Sequence, residues 1–341
     1  MRILLTGARA PATLELARLD VDGVAWRVSL TRPATRNCYV VSATGQYVEY
    51  ARDEIRRLPL AMHRVASHTA LWPLSPLLRR LDPILVPDAF PVSSVLHRER
   101  PHAEWTRAID AARQRYPGVP VVVRSLDGIT SRATLDAMRR VGMQLVPSRL
   151  VFHQDPRRDG FWRIRSVRHD VARATESPLE TRALRTADCE RIAELYWLLY
   201  AHKHSTLNPR FSQEWLAHGM KHGVLHGEGI LHDGRLAAVY LAYCVKDVMT
   251  NPVFGYATAL PQQLGLYRRL RLLTMQSVRA RGQRIHASSG APRFKFSCGG
   301  ISTVEYHAVD LRGVRGIQGA AWLLLLRVSR TVAPSLLRRA H

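Results

Sequence analysis

The chain has 341 residues, 46% of them apolar, enough for one large or two modest domains around a sizeable core. No apolar run reaches the roughly eighteen residues of a membrane-spanning helix, and Cys38, Cys189, Cys244 and Cys298 lack metal-ligand spacing, so no bilayer span is expected and the thiols read as reduced. Fifty bases against 27 acids give a formal charge of +23, which argues for an anionic partner: nucleic acid, anionic lipid or a phosphorylated ligand.

The opening "MRILLTGARAPATLELARLD" has a short apolar run soon followed by acids, and it is not read as a cleaved signal. Residues 22–31 alternate apolar and polar and predict a strand, with a second at "NCYVVS", 37–42. An amphipathic helix is expected over 46–58. Pro59, Pro73, Pro76, Pro83, Pro87, Pro91 and Pro101 then predict short helices joined by turns. A helix over 103–116, a buried strand within 117–126, a helix over 131–142 ended by Gly142, and a strand over 143–155 broken at Pro147 complete the first half. The strongly basic segment 155–177 reads as a connector.

The second half predicts helices at 186–205 and 212–220, then strands at 223–233, 235–246 and 247–258. Asp233-Gly234 joins the first two as a hairpin. A long helix at 262–282, a strand at 283–288, the loop "ASSGAPRFKFSCGG" at 287–300 and a strand at 303–311 follow. This order is α+β around a mixed sheet. The division expected is 1–155, a connector at 156–177, 178–312, and a tail at 313–341. Residues 312–341 carry six arginines and no acid. That tail reads either as a helix packed on the body with a solvated basic end or as an attachment to an anionic membrane surface.

Two stretches carry chemistry. In "TALPQQLGLYRRL", 258–270, Gly265 sits at the start of the long helix, where glycine is costly unless something must approach closely. Free amides at a helix start bind phosphate, and Arg268, Arg269 and Arg271 add charge. The alternatives are a pyrophosphate cradle over Gln262, Gln263, Leu264, Gly265, Leu266, Tyr267, Arg268 and Arg269, or a helix start that happens to hold a glycine. Strand, Gln-x-x-Gly-x, long helix, strand resembles the acyl-CoA-binding core of GNAT-type N-acyltransferases. Gln262 and Gly265 match its Gln/Arg-x-x-Gly-x-Gly/Ala loop, and Tyr267 stands where the small residue belongs. The second stretch, "SSGAPRFKFSCGG" followed by "VEYHAV", resembles the ending of GNAT-like proteins related to the Fem-type aminoacyltransferases, which carry two GNAT-like halves.

The resemblance spans roughly 20–312 and makes the first half a degenerate copy. It implies two GNAT-like halves, each a mixed, mostly antiparallel sheet flanked by helices. The implied activity moves an acyl group to an amine acceptor from an acyl-CoA or acyl-pantetheine thioester, the latter on a carrier protein. In the Fem branch the donor is an aminoacyl ester of tRNA. The alternative is a GNAT fold without catalysis that binds anionic membrane or nucleic acid. No metal is expected. The implied location is cytoplasmic, peripheral to the inner membrane surface if the tail attaches there.

Such a transfer needs a base, oxyanion donors and an acid for the leaving thiolate. Alternation puts Glu305 and His307 on one strand face and Tyr306 on the other. Glu305 is the first candidate base, with His307 its partner or substitute, unless both are ordinary polar residues of a strand. Tyr256 is the candidate acid or a packed aromatic. Lys295 either holds a ligand phosphate or carboxylate, pairs with Glu305, or stays solvated, and Ser289 shares its loop. Lys203 and Asn208 are substrate-binding candidates beside the two helices, against a reading in which Asn208 and Ser212 only cap. Cys298 lacks a local base that would make it a nucleophile.

Overall fold

The computed structural model describes residues 2–7, 10–31, 38–53, 74–88, 90–203 and 205–338. The chain divides into two compact units. The first comprises residues 1–149, 205–210 and 304–341, and the second comprises 150–204 and 211–303.

In the first unit, β1 (Arg2–Gly7), β2 (Ala10–Val21), β3 (Val24–Leu30) and β4 (Leu85–Pro87) form antiparallel neighbours in that order. β5 (Val121–Leu126) adds in parallel to β4 and takes β12 (Ile301–Asp310) antiparallel on its other side. α1 (Ser75–Leu78), α2 (His102–Arg115) and α3 (Arg132–Val141) flank these strands, and Gly142 ends α3 in the left-handed conformation at φ 84°. Trp26, Trp105, Ile109, Val123, Leu126 and Met138 fill one core, with the Trp26 and Trp105 rings edge-on at 4.8 Å. A second core gathers Leu81, Val122, Val146, Val309 and Trp322. Trp322 lies on α10 (Gly316–Arg338), and its indole N–H donates to the Leu81 carbonyl at 3.1 Å. The basic tail is thus helical and buries Ala321 and Trp322, while Ile317 and Leu323 are exposed.

Three expectations for this half change. "NCYVVS" is not a strand: residues 38–42 form a buried turn. Thr31 Oγ1 donates to the Val41 carbonyl, and Asp82 takes the Ser42 hydroxyl and the amides of Ala43 and Thr44. Those carboxylate contacts replace a strand ladder and start the next helix. That helix is a π-helix over Gly45–Tyr50, a wider coil than the 3.6-residue period suggests. β6 (Gln144–Gln154) runs unbroken through Pro147, whose fixed φ suits extended backbone. Of the proline-rich region, residues 54–73 lie outside the described residues; the remainder holds α1 and β4.

In the second unit the strand order is β6, β11, β10, β9, β8, β7. β7 (Thr181–Ala183), β8 (His226–His232), β9 (Arg235–Val245) and β10 (Val248–Tyr256) are antiparallel. β11 (Arg284–His286) pairs in parallel with β10 and antiparallel with β6. Asp233 and Gly234 both have positive φ, 50° and 72°, as a two-residue hairpin turn requires. α6 (Cys189–Lys203), α7 (Gln213–Lys221) and the long α8 (Leu266–Ala280) follow the expected order. The basic segment 155–177 is not a connector. It folds as α4 (Asp159–Arg163) and α5 (Arg165–Glu176), because Phe161, Ile164 and Val167 form an apolar stripe among the arginines and pack on the core with Ile230, Tyr240, Leu270 and Met275. The loop 287–300 contains a short helix, α9 (Pro292–Ser297). Among the described residues no helix is long and apolar enough to cross a membrane.

Candidate functional site

The second unit opens its sheet at one place. β10 and β11 pair only at Val248, Met249 and Thr250 opposite Arg284, Ile285 and His286. Thr250 Oγ1 donates to the His286 carbonyl at 2.9 Å and marks the end of that ladder. Directly beyond it β10 bulges: Asn251 and Pro252 together oppose Ala242 of β9, because Thr250 faces Tyr243 and Val253 faces Leu241. Proline offers no ladder donor there. From Asn251 to Tyr256 the β11 side of β10 carries no strand pairing among the described residues.

The chain then reaches α8 through a 3₁₀ turn at Gln262–Leu264 and Gly265, whose φ of 60° is the left-handed conformation that favours glycine. The first helical bond runs from the Arg269 amide to the Gly265 carbonyl at 3.0 Å. The amides of Leu266, Tyr267 and Arg268 come before it and have no intrahelical acceptor. Gln262 and Gln263 are exposed, Leu264 is half-buried and Leu266 is buried. Tyr267, in place of a small residue, fills an aromatic group with Phe254, Tyr256 and Phe294 at ring distances of 5.6, 6.3 and 5.2 Å.

Both loop arginines have protein partners. Arg268 donates to Asp170 Oδ1 at 2.9 Å, and Arg269 donates to the carbonyls of Leu264 and Arg173 at 2.8 and 3.1 Å. Arg271, one turn on, is only 6% exposed. It lies 3.8 Å from Asp170 and between the rings of Phe161 and Phe294. None of its three guanidinium nitrogens has a hydrogen-bond partner among the described residues. Burial holds its pKa below the usual guanidinium value.

Lys295 clamps its own loop. Its Nζ donates to the carbonyls of Ala287, Ser288 and Ser289 at 2.6, 3.2 and 2.6 Å. This clamp fixes the turn after β11 by three charge-assisted bonds. Ser289 takes part through its carbonyl.

The first unit holds a buried polar cluster on β12. Glu305 is 1% exposed, and both its oxygens take Arg149, from Nε at 2.9 Å and Nη2 at 3.1 Å. Arg149 Nη2 also donates to Ser93 O and Ser94 Oγ. His307 is buried too, with Nδ1 2.9 Å from the Tyr47 hydroxyl of the π-helix. Tyr306 turns the other way, onto the Trp26 core, as alternation predicts. Opposite His307, β5 bulges: Tyr306 faces Leu126 and Ala308 faces Val123, so Arg124 and Ser125 share one place, with Ser125 at φ 57°. Burial, then the charges of Arg124 and Arg149, hold His307 well below the ordinary imidazole range. Burial and the Glu305 charge push Tyr47 upward.

Asn208 is also buried in this unit, its Nδ2 donating to the Ser205 carbonyl at 2.7 Å. The Leu207 carbonyl accepts from the Tyr39 amide, and Ser205 donates to Asp53. Ser212 caps α7 by accepting from the Trp215 amide at 3.2 Å. Lys203 ends α6, and its side chain lies outside the described residues. Cys38, Cys189 and Cys298 are buried free thiols, and burial pushes Cys38 up to about 12. Sequence reasoning missed Arg149, Arg124 and Tyr47. One signal was available, since Arg124 interrupts the apolar run "PVVVRSL".

No family model and no curated protein matches the sequence. Solved structures do. FemX matches at a TM-score of 0.53 and 7% identity, covering 92% of this chain and 90% of its own. The L-PGS structure from Bacillus licheniformis matches at 0.50 and 9%, covering 91% and 88%. The C-terminal DUF2156 domain of a putative lysylphosphatidylglycerol synthetase from Agrobacterium fabrum matches at 0.50 and 12%, covering 85% and 97%. At these identities the likeness defines the fold. It is GNAT-like, a mixed and mostly antiparallel sheet flanked by helices, as the resemblance of the two loops implies.

Proposed function

We propose that the chain is a transferase of activated acyl groups, moving an acyl group from a thioester on coenzyme A or an acyl carrier protein to an amine acceptor. The observation that carries this reading is the side of β10 beyond its bulge that has no strand pairing among the described residues and leads into the open first turn of α8. An amide-bearing arm such as pantetheine can add to that strand side by backbone hydrogen bonds. Phosphates can meet the Leu266–Arg268 amides, and Arg271 is a cation that lacks hydrogen-bond partners among the described residues. Attack by the amine needs a base, and expulsion of the thiolate needs an acid. Tyr256, at the end of β10, is the candidate acid. Glu305 and His307, in the first unit, remain the candidate bases on their chemistry alone.

A second reading is favoured by two observations: Tyr267 fills the position of the small loop residue, and the charge is +23. In it the donor is an aminoacyl ester of tRNA, as the lysylphosphatidylglycerol synthetase and FemX likenesses suggest. The test is native mass spectrometry of the protein as purified, followed by transfer assays with acyl-CoA, acyl carrier protein and aminoacyl-tRNA in parallel. A co-purifying acyl-pantetheine species and acyl-CoA turnover support the first reading, and turnover only with aminoacyl-tRNA supports the second. Binding of none of the three donors, with salt-dependent binding to anionic vesicles or nucleic acid instead, overturns both in favour of a non-catalytic module.

A further inference from the structure

The cluster on β12 is short of negative charge. Arg124 is 4% exposed and enters the interior on the β5 bulge. Its guanidinium makes one long bond, from Nη1 to the Val92 carbonyl at 3.4 Å, and its Nε has no hydrogen-bond partner among the described residues. The carboxylate whose charge it feels, Glu305, is already held on both oxygens by Arg149. Among the described residues, two guanidinium groups and one carboxylate leave one positive charge buried without a counter-ion.

The imidazole opposite is short of an acceptor. The Tyr47 hydroxyl is paired only with His307 Nδ1 among the described residues. The pair has two tautomers; in the one where the Tyr47 phenol donates to Nδ1, the imidazole proton sits on Nε2. His307 Nε2 is buried with no hydrogen-bond partner among the described residues. In that tautomer Arg124 Nε–H and His307 Nε2–H, carried by the strand places that the β5 bulge sets opposite each other, are both buried donors without acceptors among the described residues. An unpaired buried donor and an uncompensated buried cation are each destabilising, and the same oxyanion relieves both. A single excess charge matches a monoanion, and N–H donors match carboxylate oxygens.

We propose that Arg124 and His307 form a receptor for a carboxylate group of a small ligand, with the Arg149–Glu305 pair and Tyr47 fixing its walls. The π-helix that supplies Tyr47 and the bulge that presents Arg124 are the kinds of local irregularity that persist where a side chain must be aimed. This receptor uses none of the second-unit residues of the donor reading, it shares His307 and Glu305 with the candidate bases, and its test involves no transfer reaction.

The experiment compares the melting temperature of the whole chain in sodium acetate and in sodium chloride at equal ionic strength and pH 7.5. The expected result is a saturable, acetate-specific rise of roughly 2–5 °C at ten times Kd. Arg124→Met should abolish that response and, because it removes the unpaired cation, should melt no lower than wild type without acetate. Equal responses in wild type and Arg124→Met overturn the proposal, as does no acetate-specific rise in wild type. An inorganic phosphate response stronger than acetate overturns the carboxylate assignment. A second readout needs no variant. In the ¹⁵N-histidine spectrum one of the fifteen imidazoles should shift its Nε2–H with the same midpoint as the melting response. A spectrum in which none responds sinks the receptor even if Arg124→Met fails to fold.

Discussion

Replacing Glu305 by glutamine removes the carboxylate that both nitrogens of Arg149 grip at 2.9 and 3.1 Å, in a place where the acid is 1% and the Arg149 side chain 10% exposed. Two guanidinium groups, Arg149 and Arg124, would then share the cluster with no acid among the described residues. Removing one partner of a buried pair costs about 3–5 kcal/mol, chiefly through the charge left behind. That corresponds to a fall in melting temperature on the order of 10 °C. Urea denaturation of wild type, Glu305→Gln and the double variant Glu305→Gln with Arg149→Met supplies the assay. The midpoint should drop in the single variant at unchanged slope and recover in the double to within about 1 kcal/mol of wild type. A single variant within about 1 kcal/mol of wild type refutes the buried-pair reasoning. The comparison also guards any activity measurement. Loss of transfer in Glu305→Gln speaks for a chemical role only if the recovered double variant is inactive as well.

Three further outcomes are expected. Lys295→Met, which breaks the clamp on three carbonyls, should cost about 2–3 kcal/mol and raise amide exchange around residues 287–289, read by hydrogen exchange. Gly255→Ala on β10 would place a Cβ 2.5 Å from the Leu195 and Tyr196 backbone of α6, so it should destabilise by several kcal/mol or abolish soluble expression. His307 is held below the ordinary imidazole value in the folded protein, so the unfolded chain binds a proton that the folded one refuses. Stability should therefore fall by about 1.4 kcal/mol per pH unit below roughly pH 6.5, and His307→Gln should remove that share of the slope. Urea midpoints measured from pH 7.5 down to 5.5 test this.

Elements with strong periodicity or turn chemistry were legible. The Asp233-Gly234 hairpin, the Gly142 helix end, the two helices before the meander and the long helix after it all stand where pattern places them. Elements fixed by long-range contacts were not. "NCYVVS" has strand composition, yet Asp82, some forty residues on, takes its polar groups. The basic segment 155–177 carries Phe161, Ile164 and Val167 among its arginines, and the core they pack on comes from distant strands and the long helix. Of the site, Gly265 and the loop around it were visible as a glycine at a helix start. The shared face of Glu305 and His307 followed from alternation alone. Their partners did not, because Arg149, Arg124 and Tyr47 come from separate segments and meet only through strand register and bulges.

The interleaving of the two units along the chain inverts the order in which they can be finished during synthesis. The second unit is complete once residue 303 has left the ribosome, because nothing after that position belongs to it. The first unit starts at residue 1 but waits for residues 304–338, which bring the β12 partner of β5 and the α10 tryptophan that bonds to Leu81. Until then β5 presents an unpaired edge of "VVVRSL", the kind of strand on which nascent chains mispair. The half that begins first therefore closes last, and translation pausing or truncation near the C-terminus should harm the first unit while leaving the second able to fold.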